Sequence, residues 1–349
     1  MSASRLRVEE LRDGEEPAWD EYVEHSHAAS PYHLTSWKRV MDRAYGYRSH
    51  YLMAKAGGQI EGVLPLFELK SRILGHSLTT PPGGLCADNE EAAVTLIERA
   101  KELTDSVNAK HLALRDSQKQ WNGGLVSVSE HCTMIRDLPS QIDVLWKSLD
   151  NRLRRHIRLA REGDLQVSMG GGEYLADFYA VYSAFVRDIG TPTFGGAFLR
   201  NVVEEFGDRF LISCVRWQGK LIGAYSAFLI RDSIVGAWGG ALHDYLDRRP
   251  NHIIYWQYME YGCEHGYSRI DLGRSPVGSG HFQFKKGWGA QPRPLYQQYY
   301  LNGVSQPPAI GGSLKEDAKY RLFVNLWRRM PLLLTEALGP QLRKRVPFG

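Results

Sequence analysis

The segment with the densest set of chemically useful residues spans 271–296 and reads DLGRSPVGSGHFQFKKGWGAQPRPLY. It contains three cations and two closely spaced glycines: Arg274, Lys285, Lys286, Gly278 and Gly280. Backbone N–H groups beside glycines bind phosphate or developing negative charge. A lysine stabilises an oxyanion in a site from which water is excluded. The pattern therefore favours a site for negative charge within this segment.

The local structure that the pattern predicts is a strand ending at Asp271-Leu272-Gly273, followed by a flexible glycine-rich loop. The alternative is a β-hairpin loop with a packed Trp288 and solvated lysines. Asp271 itself either orients Arg274 or acts as a base, although an Asp at the end of a strand more often forms a turn.

Other candidate residues have weaker support. Tyr225, Trp238 and Tyr255 are candidates for lining a groove, but aromatic residues on strands more often belong to the core. The pair His25-x-His27 has no further ligands nearby, so we expect no metal site. The sequence also contains no GxSxG or HExxH motif.

An internal repeat indicates how these residues are positioned. Residues 51–67 and 210–229 each contain an apolar run, a glycine-containing turn and a second apolar run. Their centres, Gly58-Gln59-Ile60-Glu61-Gly62 and Gly219-Lys220-Leu221-Ile222-Gly223, are offset by 161 positions. Glycine supplies the positive φ that such turns need. Both segments are therefore predicted β-hairpins.

The repeat continues downstream. Residues 89–104 have apolar side chains at helical spacing and precede the strand His111–Asp116. Residues 251–265 form the matching helix candidate, with Asn251 as its N-cap and Gly266 near its end, before the strand Arg269–Gly273. Leu114 and Leu272 are offset by 158 positions. Two elements in the same order at nearly one offset favour a duplicated, mixed α/β unit.

The remaining periodic segments predict helices. Residues 141–163 predict one long basic helix with apolar residues at steps of three and four. The arginines of this helix are either a solvated face or contacts for a phosphate-rich ligand. Residues 173–188 and 196–206 predict two further helices. Residues 303–313 predict a turn-rich linker, and residues 314–338 an amphipathic helical tail interrupted at Pro331.

The long motif D-L-G-R-S-x-x-G-S-G-x-F-x-F-K-K-G-W-G-A-x-P-x-P-L-x-Y-x-Y resembles the C-terminal signature of FemAB-like transferases. It is most similar to the branch associated with exosortase/PEP-CTERM exopolysaccharide systems. Three other segments resemble family motifs: the Arg-rich helix at 154–163, the G-T-P turn at 190–194 and the N-terminal segment at 30–37. Together they extend from residue 30 to 300.

The resemblance implies two tandem GNAT-like domains. We assign them to residues 1–140 and 141–305, with an amphipathic helical tail at 306–349. It also implies transfer of an aminoacyl group from aminoacyl-tRNA, or of an acyl group, to an amine. The acceptor in known relatives is typically a peptidoglycan precursor, and we expect here an amine or hydroxyl of a cell-envelope or exopolysaccharide precursor.

The chain departs from the patterns of both possible donors. Acyl-CoA-dependent GNAT enzymes carry a glycine-rich R/Q-x-x-G-x-G/A loop, whereas the corresponding residues 248–253 contain no glycine, and Pro250 lacks an amide hydrogen. The first half has Pro81-Pro82-Gly83-Gly84 in the comparable position, also a poor fit. Classical Fem ligases often have a coiled-coil arm for tRNA, and no long heptad insertion is present. The donor therefore stays open between aminoacyl-tRNA and acyl-CoA, with no tightly bound cofactor expected.

Three residues are predicted to be catalytic. Lys285 or Lys286 faces the donor phosphate or the tetrahedral oxyanion, and Arg274 holds an acidic group with a two-pronged geometry that lysine cannot copy. No covalent enzyme intermediate is needed, because positioning and oxyanion stabilisation supply most of the rate. The predicted substrate-binding residues are Ser275, Gly278, Gly280, His33, Trp37, Tyr225, Trp238, Trp288, Arg154 and Arg158.

Composition limits the alternatives. The 349 residues are 43% hydrophobic and 23% charged, which is typical of globular domains. A formal charge of +4 is too small to imply nucleic-acid binding by itself. The four cysteines are dispersed, which favours a reducing compartment. Without an apolar stretch of about 18 residues or a secretory leader, we expect a cytoplasmic protein.

Two other functions stay open. One is a CoA-dependent N-acyltransferase. The other is a non-catalytic module that recruits lipid-linked glycan or peptide precursors. Residues 314–349 either contact the inner membrane peripherally, through their leucines and arginines, or pack on the body of the protein.

Overall fold

The computed structural model describes residues 6–71, 75–308 and 318–345. Two compact units divide the chain: Met1–His131 with Pro294–Gly312, and Cys132–Arg293 with Ser313–Gly349. The divisions fall after His131 and Arg293, whereas the sequence predicted boundaries after residues 140 and 305. Each unit combines helices with a mixed sheet, so the predicted α/β class is confirmed.

The elements of the first unit are, in chain order, β1 (Arg7–Glu10), α1 (Glu16–His25), α2 (Thr35–Tyr45), β2 (Ser49–Ala56), β3 (Gln59–Ser71), β4 (Gly75–Thr79), β5 (Cys86–Ala87), α3 (Glu90–Ser106) and β6 (His111–Ser117). Strand β7 (Val126–Asp137) has residues in both units.

The elements that follow in the second unit are α4 (Ile142–Ser148), α5 (Asn151–Glu162), β8 (Leu165–Gly170), α6 (Leu175–Asp188), α7 (Gly196–Phe206), β9 (Phe210–Trp217), β10 (Lys220–Ile230), β11 (Ser233–Ala241), α8 (Pro250–Glu264), β12 (Arg269–Pro276) and α9 (Gly280–Gly287). The last elements are β13 (Gln291–Leu301), α10 (Ala318–Arg329) and α11 (Leu332–Arg345). We call α10 and α11 together the tail.

The strand order is β1-β2-β3-β4-β6-β13 in the first unit and β12-β11-β10-β9-β8 in the second. Each unit has an antiparallel hairpin, β2–β3 or β9–β10, and one parallel pair, β4–β6 or β11–β12. A parallel pair needs a crossover connection, and α3 and α8 supply it in the two units.

The two units repeat each other in register as well as in order. Both hairpins contain a bulge, where Glu61 in β3 and Ile222 in β10 are the extra residues. These positions are 161 apart, which is the offset of the hairpin sequences. The first residues of the two parallel pairs on β6 and β12, His111 and Arg269, are 158 apart. The predicted duplication is therefore visible in the backbone pairing.

Each unit has its own apolar core. In the first unit α3 packs on the sheet through Ala93, Leu96, Ile97 and Ala100, which are fully buried. In the second unit α5 and α8 pack through Leu153, Ile157, Ile254 and Met259. Burial of these apolar side chains is the main favourable term that holds each unit together.

Two helix predictions are corrected. The predicted single helix over 141–163 is broken into α4 and α5, because the Asp150 side chain accepts a hydrogen bond from the Leu153 amide (2.6 Å) and starts a new helix. The predicted N-cap of α8, Asn251, lies inside the helix. Pro250 occupies its first turn and Arg249 precedes it with a φ of 63°.

The predicted break at Pro331 is confirmed, because α10 ends at Arg329 and α11 begins at Leu332. The predicted linker at 303–313 and the start of the predicted tail at 314 extend into residues 309–317, which lie outside the described residues. No helix in the described part of the chain is long and apolar enough to cross a membrane.

The N-cap of α3 provides a test of the fold in the first unit. Asn89 Oδ1 accepts a hydrogen bond from the Ala92 amide (2.8 Å). Asn89→Ala leaves that amide unpaired and is expected to lower the free energy of unfolding by about 1 kcal/mol. Asn89→Ser keeps a capping oxygen and is the control, measured beside it by urea denaturation. Equal stability of both variants and the wild type would contradict this role.

Candidate active site

The candidate site begins where the parallel pairing of β11 with β12 stops. Ser233, Ile234 and Val235 pair with residues 269–271. Both strands then continue, β11 to Ala241 and β12 to Pro276, with no further pairing between them in the described register. We call this opening, bounded by residues 236–241 and 272–276, the fork. In general, the place where two parallel strands stop pairing is one where a bound chain or ligand can hydrogen-bond to the backbone.

The equivalent position in the first unit is filled by the chain itself. After β4 pairs with β6, Thr80 continues along β6, donating its amide to Ala113 O (2.9 Å). The Gly83 amide then donates to Arg115 O (3.0 Å). This segment, residues 80–84, occupies the first unit's counterpart of the fork.

His33 holds the filling segment in place. Its Nδ1 accepts from the Ser30 amide (3.0 Å), so Nε2 carries the proton and donates to Gly84 O (3.1 Å). His33 is fully buried, and a Cβ at Gly83 would lie 2.8 Å from its ring. Trp37 is also buried, with its ring edge-on to Tyr32. The structure therefore places both predicted substrate-binding residues in the packing of the first unit.

Lys285 lies at the fork of the second unit. Its side chain is 7% exposed, and its Nζ donates to the carbonyl oxygens of Gly273 (2.9 Å) and Arg274 (3.0 Å). A Cβ built on Gly273 would lie 3.6 Å from Gly236 O and 3.9 Å from Lys285 Nζ. Gly273 has a φ of 81°, which favours glycine and turns these carbonyls toward the lysine.

One of the three N–H donors of the Lys285 ammonium makes no hydrogen bond to the described residues. An ammonium has three N–H donors, and the contacts of the described residues use two of them. Burial lowers the pKa of Lys285 to about 8, while the nearby Asp271 and Cys132 act in the opposite direction. Lys285 is therefore mostly protonated at neutral pH and can offer its third N–H to a ligand in the fork.

Asp271 is the counter-charge of this lysine. Its Oδ1 accepts hydrogen bonds from the Thr133 hydroxyl and from the Gly273 amide (2.7 Å). Burial raises the pKa of Asp271, and these two hydrogen bonds and Lys285 oppose that rise. Asp271 thus fixes the turn at Gly273 and stabilises the ammonium.

The predicted flexible loop is corrected. Strand β12 continues through Arg274 and Ser275 to Pro276, and α9 begins at Gly280. Ser279 caps α9 by accepting from the Phe282 amide (3.2 Å). Gly278, with a φ of 77°, lies in the short connection, and Gly280 is the first residue of α9; both are exposed. A helix therefore presents the lysines, and helical phase buries Lys285 while Lys286 is exposed.

Two further predicted residues lie around the lysine. Ser275 is fully buried, and its hydroxyl has no hydrogen-bond partner among the described residues. Trp288 is also fully buried, against Tyr255 (5.7 Å between ring centroids) and Phe284 (6.4 Å). Trp288 therefore anchors α9 on α8, as the packed-tryptophan alternative expected.

Aromatic residues lie on β11 at the fork and on its neighbour β10. Tyr225 is half-buried and donates its hydroxyl hydrogen to Asn251 Oδ1 (3.2 Å). Trp238 packs against Phe194 (5.4 Å between centroids) and Phe198 (5.7 Å). Trp238 lies on β11 within the fork, and its contact with Phe194 connects the fork to the G-T-P segment at 190–194.

Sequence reasoning missed a second cationic feature, at the start of α8. His156 of α5 stacks on His252 of α8 (4.8 Å between centroids), and Arg249 Nε donates to His156 Nδ1 (3.0 Å). Burial, with nearby arginines, lowers the pKa of His156 and lowers that of His252 to about 4. We define the basic cluster by five residues: Arg152, Arg155, His156, Arg249 and His252.

The basic cluster is next to α9. The ring of His252 lies edge-on to Phe284 (5.2 Å). The two predicted phosphate-binding arginines of α5 have other contacts: Arg154 donates to Asn151 Oδ1 (2.5 Å), and Arg158 lies over the Trp146 ring (5.5 Å). The useful signal in the sequence was the phase of α5, because Arg152, Arg155 and His156 recur at steps of three and four.

The comparisons with known proteins concern the fold and one domain match. Residues 147–286 match the family model described as an acetyltransferase (GNAT) domain. The structure is similar to that of FemX, with a TM-score of 0.66 and 15% identity over 84% of this chain and 97% of that one. No curated protein matches this chain in sequence.

Two other solved structures share the fold. A tandem GNAT protein from the clavulanic acid biosynthesis pathway has a TM-score of 0.56 and 12% identity, covering 86% of this chain and 100% of that one. L-PGS from Bacillus licheniformis has a TM-score of 0.57 and 13% identity, covering 92% and 99%. The fold is a tandem GNAT-like fold, and that prediction is confirmed.

The effect of the Asp271 charge on Lys285 can be tested by measuring the pKa of Lys285. Asp271→Asn keeps the acceptor oxygen for Thr133 and Gly273 but removes the charge, so the pKa of Lys285 is expected to fall further below its value of about 8. An NMR titration of the Lys285 side chain measures this. Asp143→Asn, on the exposed side of α4, is the control and leaves the titration unchanged. A Lys285 pKa that is the same in Asp271→Asn as in the wild type would contradict the electrostatic effect of Asp271 on Lys285.

Proposed function

We propose that this protein is an acyl or aminoacyl transferase that moves its group from an activated donor to an amine or hydroxyl of a cell-envelope or exopolysaccharide precursor. The observation that carries the proposal is the buried Lys285 at the fork, whose Nζ donates to the carbonyl oxygens of Gly273 and Arg274 and has a third N–H that the described residues leave unused. The match of residues 147–286 to an acetyltransferase (GNAT) domain supports a transferase.

The proposed chemistry is aminolysis or alcoholysis of the donor carbonyl. The acceptor nitrogen or oxygen attacks the carbonyl carbon, and negative charge develops on the carbonyl oxygen. Lys285 donates its third N–H to that oxyanion, in a site where burial strengthens the interaction. The intermediate then collapses, the C–O or C–S bond to the donor breaks, and the proton lost by the acceptor passes to the departing oxygen or sulfur. Positioning supplies the rest of the rate, so no covalent enzyme intermediate is needed.

The basic cluster is proposed to bind the donor's phosphates. It lies at the start of α8, next to α9, and its cations are the arginine side chains rather than glycine amides, with Arg249 held by His156. The amides of His252 and Ile253 point to Arg249 O (3.0 and 3.4 Å), and Pro250 has none. A phosphate-rich donor held by side chains fits this arrangement, which favours aminoacyl-tRNA over acyl-CoA.

The acceptor side of the proposal rests on the resemblance of the long motif and on the shared fold with FemX and with L-PGS. Ser275, Gly278, Gly280, Tyr225, Trp238 and Arg274 lie on or next to the fork and are proposed to contact the two substrates. Lys286, exposed on α9, is proposed to contact donor phosphate rather than the reacting carbonyl.

A CoA-dependent N-acyltransferase is the second candidate, favoured by the acetyltransferase domain match. Calorimetry with acetyl-CoA and longer acyl-CoAs, beside filter binding of aminoacyl-tRNA, distinguishes the two. Tight tRNA binding with weak CoA binding is the expected result. Mass spectrometry of ligands that co-purify from the native host identifies the acceptor class. Binding without turnover of either donor would contradict the transferase proposal.

The two lysines provide a direct test of catalysis. Lys285→Ala is expected to cost about 2–4 kcal/mol of transition-state stabilisation, because it removes the donor to the oxyanion. Lys286→Ala is the comparison variant: Lys286 is exposed on α9 and is proposed to contact only donor phosphate, so its loss is expected to raise the KM for the donor while kcat changes little. Single-turnover transfer rates and thermal midpoints of both variants measure this. Unchanged turnover in a folded Lys285→Ala protein would contradict the role.

The pKa of Lys285 predicts a pH profile. A lysine donates to an oxyanion only while protonated, so kcat is expected to fall as the pH rises through about 8. Arginine stays protonated in this range, so any activity that Lys285→Arg retains lacks this descending limb. The pH dependence of single-turnover rates checks this. A rate that rises through the same range and depends on Lys285 would instead make it a base.

A further inference from the structure

The tail is fixed to the second unit by one of its faces. Trp327, Thr335 and Arg343 are buried. Arg343 Nε donates to Pro192 O (2.8 Å), and its guanidinium lies over the Phe194 ring (4.1 Å). Glu336 accepts a hydrogen bond from the Ser183 hydroxyl (2.7 Å). The predicted packing of the tail on the body is therefore present on this side.

Both helices of the tail also expose large apolar side chains to solvent. These side chains are exposed by 46% to 80%: Leu322, Leu326, Leu333, Leu334 and Leu338. On α10, Leu322 and Leu326 are four residues apart, and on α11 Leu334 and Leu338 are also four apart, so each pair shares a helix face. An amphipathic helix normally buries its only apolar stripe. In the tail these leucines stay exposed instead, which implies a partner.

The charges beside these leucines indicate which partner fits. Residues 318–345 contain seven basic residues and one acidic residue, Glu336. Arg321, Arg328 and Arg329 are exposed on the same helix as Leu322 and Leu326. Leucines flanked by arginines are the combination that binds an anionic lipid surface, because burial of apolar area and attraction to lipid phosphate act together.

We propose that the exposed face of the tail, defined by Leu322, Leu326, Leu333, Leu334 and Leu338, binds the surface of an anionic phospholipid bilayer. The buried face keeps the tail attached to the G-T-P segment while the leucines enter the interface between headgroups and acyl chains. The protein lies on the membrane through this face and does not span it. The inference is independent of the proposed transfer reaction.

Vesicle flotation tests the proposal with the full-length protein. Wild type is expected to float with vesicles of phosphatidylcholine mixed with phosphatidylglycerol, and to bind at least about tenfold more weakly to phosphatidylcholine alone or at high salt. The double variant Leu326→Glu/Leu333→Glu is expected to lose at least about tenfold in binding to the anionic vesicles. Leu246→Glu, at an exposed leucine of the second unit outside the tail, is the control and binds as wild type.

A second variant tests the arginines of α10. Arg321→Gln/Arg329→Gln is expected to weaken binding to anionic vesicles and leave binding to phosphatidylcholine unchanged. Circular dichroism and thermal midpoints confirm that each variant is folded. Failure of the wild type to float, or flotation unaffected by the leucine variant, would overturn the proposal. So would concentration-dependent dimerisation that the leucine variant abolishes, since the face would then belong to a second copy of the chain.

Discussion

A buried ammonium at the end of a parallel strand pair is the interaction on which the candidate site depends. Lys285 is 7% exposed and is stabilised by two carbonyl oxygens and by the nearby Asp271. Burying a charge is costly unless it is paired and hydrogen-bonded. The turn at Gly273, the Thr133–Asp271 hydrogen bond and the packing of Trp288 all serve to meet that requirement. The same arrangement holds one N–H at the fork.

The duplication explains why one unit carries this site and the other does not. Both units have three parallel residue pairs, on β4–β6 and on β11–β12. In the first unit residues 80–84 continue the pairing, and His33 fixes them. In the second unit no described segment takes that place. In the first copy the chain itself continues the pairing, whereas the second copy has Lys285 and the basic cluster beside the fork.

The sequence predicts much of the fold because the signals of a hairpin are local. A glycine turn between two apolar runs predicted β2–β3 and β9–β10, and the shared offset predicted the duplication. The site was predicted less well. In the predicted loop nothing distinguishes Lys285 from Lys286. In the structure, the Ser279 cap starts α9, and the position of each lysine along that helix buries Lys285 and exposes Lys286. The contacts of His33, and the stacking of His156 on His252, depend on residues distant in the chain, so spacing alone did not reveal them.

The most direct measurement is a crystal structure of the protein with the donor that supports turnover, bound as a non-reactive amide analogue. The account predicts that the donor's carbonyl group lies between β11 and β12, with its oxygen within hydrogen-bond distance of Lys285 Nζ and its phosphates at the basic cluster. A donor bound away from the fork, with Lys285 contacting only Gly273 and Arg274, would contradict the account.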